Sequence, residues 1–118
     1  MTPDTRSVIA GIAAVLVNRR DYAWVYDHDR SAHRAVSLSL KDGRTGAYDH
    51  ERKRVYDGVA GESLFDHAEG QHIGAERTDR GVKGYDHGSK SFYEAFVEGE
   101  DVSVYDHATG RHHAYRVS

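Results

Sequence analysis

An aromatic residue followed by Asp and His recurs five times along this chain, as Tyr26-Asp27-His28, Tyr48-Asp49-His50, Phe65-Asp66-His67, Tyr85-Asp86-His87 and Tyr105-Asp106-His107. The copies start 22, 17, 20 and 20 residues apart. Repeats built from paired helices take roughly 34 to 47 residues, so this spacing leaves room for a β-hairpin instead. Tyr56-Asp57-Gly58 falls off the period and belongs to the return strand of the second unit.

The last copy shows the unit most clearly. Asp101 to Tyr105 alternates as a strand does, His107-Ala108-Thr109-Gly110 is turn-like, and Arg111 to Val117 is again β-rich. Asp suits the start of the turn because its carboxylate can accept backbone N–H groups two or three residues on. Gly70 or Gly110 then supplies a left-handed position. Polar, glycine-containing joints at 41–44, 61–62, 78–81 and 98–101 divide the chain into hairpins near 22–40, 45–60, 62–77, 82–97 and 101–117.

The expected fold is therefore mainly all-β: an antiparallel meander of ten short strands that closes as a barrel, rolls into a partial barrel or continues as an open ribbon. A single proline leaves nearly every ladder donor intact. Residues 1–21 lack the motif and form a capping segment, with the repeat domain spanning 22–118. Alanines and a periodic apolar stretch with Ile9, Ile12, Ala13 and Leu16 favour a helix capped by Asp4 or Thr5 and ending at Asn18 to Arg20, although Val15-Leu16-Val17 also reads as a strand. Its expected role is to plug or cap the sheet.

Five residues beyond each motif His stand His33, Val55, His72, Phe92 and His112, so the odd repeats carry histidine at both places. Two registers are open. A four-residue loop over 108–111 sets His107 opposite His112 and puts Val25, Leu64 and Val104 on one apolar face with Val36, Ala75, Ala95 and Tyr115, leaving Tyr and His on the other. A three-residue loop with a glycine bulge sets His107 against Arg111 and reverses the faces.

These residues define the candidate sites. The pairs His28/His33, His67/His72 and His107/His112 are candidate ligands for Zn, Ni or Cu, since imidazoles suit those ions, but each hairpin offers two donors where a tight structural zinc site uses four. The full set of motif residues is a candidate glycan-binding row, with aromatic faces for sugar rings and multivalency from repetition. Catalysis is not expected. Adjacent Asp and His point to opposite faces of a strand, no nucleophile sits in a recognisable elbow, and near-identical copies do not assemble the unlike groups an active site needs.

Composition narrows the partners. The 16 Lys+Arg and 19 Asp+Glu give a net charge of −3 without any basic block, which argues against nucleic acid, and full protonation of the nine histidines would carry the charge to +6. The absence of cysteine removes disulfides and thiolate sites. The apolar run from Val8 to Val17 is half the roughly 20 residues that span a bilayer as a helix, and it lacks the flanks of a signal peptide. The expectation is a cytoplasmic protein without a membrane partner.

Tyr-Asp, a short turn ending in Gly, and a polar strand at a period near twenty resembles the YD repeats of Rhs-type bacterial shell proteins, most closely in YDHATGR at 105–111 and FDHAEGQ at 65–71. The resemblance covers residues 22–117 and implies hairpins in a β-ribbon with an encapsulating or scaffolding role. This chain departs from it in having five units, in the missing turn glycine of YDHDRSA, YDHERKR and YDHGSKS, and in the added His. The leading expectation is a non-enzymatic structural or protein-interaction module with no required cofactor, contacting a protein partner or itself through its motif face or sheet edges. A His-rich metal-binding or glycan-binding protein is the alternative.

Overall fold

The computed structural model describes residues 1–118. Helix α1 spans Pro3–Asn18, and eleven strand segments follow: β1 Tyr22–Asp27, β2 Ala32–Lys41, β3 Arg44–Asp49, β4 Arg54–Val59, β5 Ser63–Asp66, β6 Gln71–Gly74, β7 Glu76–Arg77, β8 Gly81–Asp86, β9 Ser91–Glu98, β10 Asp101–Asp106 and β11 Arg111–Val117. β6 and β7 are one strand interrupted at Ala75, so the ten expected strands are present in the five expected hairpins. They form a closed antiparallel barrel. Neighbours in sequence pair around the wall, β1 also pairs with β11, and β6 and β7 meet β8.

Closure leaves no free edge strand, so edge-to-edge self-association has no template here. The centre is filled by α1. Its residues from Thr5 to Leu16 are all buried, which is the signature of a helix covered on every side rather than along one stripe. Small side chains make this fit: Ala10, Ala13 and Ala14 lie in the core, and a Cβ at Gly11 would run into the Leu38 methyl groups. The cap falls earlier than expected. Thr2 Oγ1, rather than Asp4 or Thr5, accepts the Thr5 N–H at 3.2 Å, with Pro3 in the first turn where its missing N–H costs nothing. At the other end Arg19 turns left-handed, its N–H donating to Val15 O. No helix is long and apolar enough to cross a membrane.

The alternating strands sort the residues as the first of the two registers requires. Val25, Val36, Leu64, Ala75, Ala95, Val104 and Tyr115 are all buried against the helix side. The register itself is shifted by two residues from that expectation. Tyr105 pairs with His112 and Asp106 with Arg111, and likewise Tyr26 pairs with His33 and Phe65 with His72. The loop is His107-Ala108-Thr109-Gly110, because the motif Asp is the last paired residue and its carboxylate closes the turn. An even shift preserves the faces but breaks the expected His107–His112 opposition.

The fourth residue after each motif Asp is left-handed in all five turns: Ser31 (φ 49°), Lys53 (55°), Gly70 (64°), Lys90 (56°) and Gly110 (70°). Side-chain-bearing residues are disfavoured there by roughly 1 to 2 kcal/mol, partly offset by the greater chain entropy glycine loses on folding. Lys53→Gly and Lys90→Gly are each expected to stabilise the protein by about 0.5 kcal/mol, read as a higher midpoint in urea. Gly110→Lys should lower it.

Candidate functional site

The hairpin geometry divides the motif between two environments. Because strand neighbours alternate sides, the Asp of each copy points inward at one rim while the aromatic residue before it and the His after it lie outside. All five carboxylates are buried, at no more than 6% exposed. In each, Oδ1 accepts the N–H two residues on, at 2.9 Å in Asp27 and Asp106, 3.0 Å in Asp66 and Asp86 and 3.1 Å in Asp49. The expected turn-forming role of Asp is thereby realised.

Oδ2 differs from repeat to repeat. Arg30 Nε meets Asp27 and Arg52 Nε meets Asp49, each at 2.6 Å, and Arg34 joins Asp49 at 2.9 Å. Asp106 receives Arg6 of the helix at 2.9 Å and the amino group of Met1 at 3.2 Å. Asp86 accepts only the Ser89 hydroxyl, at 2.7 Å. Asp66 Oδ2 is met by no protein donor, and beside it and Asp86 opens a cavity of about 490 Å³.

Burial opposes ionisation of Asp49 and Asp106. The bonds and charges of Arg52 and Arg34 on the first outweigh it, as do the Ala108 N–H, the amino group and Arg6 on the second, so both carboxyls sit below the ordinary range. Groups depressed in the folded state stabilise it fully above the unfolded value of about 4 and lose that contribution as pH falls through the folded value. Melting temperature is therefore expected to fall below about pH 4, with a shallower acid limb in Asp49→Asn. Equal limbs in both proteins would contradict this.

Outside, each motif His packs edge-on against its own aromatic: Tyr26 with His28 (4.8 Å between ring centroids), Tyr48 with His50 (4.7 Å), Phe65 with His67 (4.9 Å), Tyr85 with His87 (4.9 Å) and Tyr105 with His107 (5.0 Å). The cross-strand histidine lies against the same ring, His33 at 4.7 Å, His72 at 4.8 Å and His112 at 4.9 Å. In each candidate metal pair the contacts thus run imidazole, aromatic, imidazole. No cluster of three or more His, Asp or Glu side chains has a metal-holding arrangement. Over β8 to β11 the stacking is continuous, from His87 through Tyr85, Phe92, His107, Tyr105 and His112 to Phe96. Phe92 is 61% exposed within it, and Trp24 is 46% exposed beside His33.

One arrangement escaped the sequence reading. His113, the single buried histidine, contacts Asp29 through Nδ1 and the Thr109 hydroxyl through Nε2 (2.8 Å). The order resembles a nucleophile, a base and an orienting acid. Thr109 Oγ1, however, donates to Asp106 O at 3.1 Å, as turn hydroxyls do, and neither Thr109 nor Asp29 lines the rim cavity beside Asp66 and Asp86. The trio braces the last turn against the first. His113 shares its place in the repeat with Arg34, Tyr56, Ile73 and Tyr93, and that inward position was the signal available. Compared with known proteins, the chain matches no family model, no curated protein and no solved structure.

Proposed function

We propose that the protein is a non-enzymatic interaction module that contacts a protein partner through the aromatic and imidazole rings on the outside of β8 to β11. The observation that carries this reading is the continuous exposed ring stack with Phe92 at its centre. Hairpin formation accounts for the Asp and the left-handed residue but requires neither Phe92 nor His. With α1 filling the centre of the barrel, a protein partner is met on the outer surface. Exposed aromatic clusters of this kind are enriched in protein contact sites.

Selection of peptides from a displayed random library tests the proposal. The winners should bind the wild-type protein about tenfold or more tightly than Phe92→Ser/His107→Ser, a double variant of exposed residues expected to melt at the wild-type temperature. Peptides that bind both equally, or an empty selection beside positive spots on a glycan array, would overturn it in favour of a different face or a sugar ligand. Saturable stabilisation by Zn, Ni or Cu with no peptide selected would favour the metal reading instead.

A further inference from the structure

The rim of carboxylates lies apart from the outer ring stack and is not uniform. Three motif aspartates, Asp27, Asp49 and Asp106, hold a cation on Oδ2. In the first two repeats that cation comes from the residue three after the Asp, Arg30 or Arg52. The same place is taken by Glu69 in the third repeat and by Ser89 in the fourth. Glu69 cannot donate to Asp66 and turns away to Arg54, at 3.0 Å. Ser89 is neutral and short.

The result is local and unlike the rest of the ring. Asp66 is 4% exposed and lines the cavity; its Oδ1 takes the N–H groups of Ala68 (3.0 Å) and Glu69 (3.2 Å), and its Oδ2 has no protein donor. Asp86 borders the same cavity without a direct ion pair, and the Met1 amino group reaches it only through the Ser89 hydroxyl, at 3.2 Å. Two arginines also reach its wall, but Arg52 is held by Asp49 and the Tyr56 hydroxyl, and Arg54 by Glu69. Asp4, the remaining wall carboxylate, is paired with Arg30 and Arg34. Two carboxylates are left without an ion pair, Asp66 with no donor on Oδ2 and Asp86 with the Ser89 hydroxyl.

We infer that this cavity binds a guanidinium group, on a small molecule or an arginine side chain, through Asp66 Oδ2 and Asp86. The neighbouring repeats supply the template, since guanidinium groups of Arg30 and Arg52 meet the equivalent oxygen at 2.6 Å, and the planar fork of the group matches a carboxylate. The space that an arginine side chain fills in repeats one and two is what Glu69 and Ser89 leave open.

Titration of the whole protein with ethylguanidinium, n-butylammonium and ethylurea at constant ionic strength, followed by amide NMR, tests the site. Ethylguanidinium should give saturable shifts centred on Ala68, Glu69 and Gly88, whose N–H groups bond to Asp66 and Asp86, while ethylurea gives none. Asp66→Asn keeps the turn acceptor and should weaken binding about tenfold. Glu69→Arg places the repeat's own arginine in the cavity and should abolish binding while raising the melting temperature, so the proposal does not depend on the Asn variant folding. Absent saturation, equal shifts with ethylurea or n-butylammonium, or unchanged binding in Glu69→Arg would overturn it. Tighter binding of Gly-Arg-Gly than of ethylguanidinium would assign the group to a peptide, and the reverse order to a free small molecule. Neither result depends on the Phe92 surface.

Discussion

Asp49→Ala is expected to destabilise the barrel by about 3 to 5 kcal/mol, because removing one partner of a buried ion pair strands the other. Asp49 is fully buried and closes its turn through the Glu51 and Arg52 N–H groups, and its Oδ2 holds both Arg52 and Arg34. Arg34 is itself buried and would retain only its contacts to Asp4 and Glu51. Asp66→Ala is the matched comparison. It removes the same kind of turn acceptor but strands no cation, so the expected loss is about 1 to 2 kcal/mol. Urea denaturation of the two variants separates the turn from the ion pair, and equal losses would show that the arginines on Asp49 contribute nothing.

Gly84→Ala should cost about 3 kcal/mol or more by forcing two backbones apart. At the seam where β6 and β8 close the barrel, a Cβ at Gly84 would collide with the backbone of Gly74. The glycine lies within β8 and serves the close approach of a neighbouring strand. The seam is thinly paired, with Ile73 opposite Asp86 as the β6 contribution. Faster amide exchange confined to β6 and β8 in the variant would locate the damage there, whereas uniform exchange would contradict a local seam.

The parts of this fold that depend on neighbours in sequence were legible. The spacing of the motif, the alternation of strands and the turn chemistry of Asp give the five hairpins, found where expected, but leave two registers open, of which the barrel has the faces of the first. The two-residue error in register came from counting the loop after His107, when the Asp carboxylate draws the turn back to begin there. What could not be read were partners far apart in the chain: Arg6 on Asp106, Asp4 on Arg30 and His113 on Asp29 exist only once α1 enters the barrel and the ends meet. The rim cavity lies between these cases. Its cause, the series Arg30, Arg52, Glu69, Ser89 and Thr109 at one place in the repeat, is written in the sequence, but it signifies nothing until the carboxylates are known to face inward.

That inward turn of Asp, with aromatic and His outside, follows from the register and closure of the barrel. A cross-strand NOE map measures both. The fold described predicts contacts of Tyr105 with His112, Tyr26 with Arg116 and Ile73 with Asp86. Contacts of His107 with Arg111 as strand partners, or no contact across Ile73 and Asp86, would contradict it.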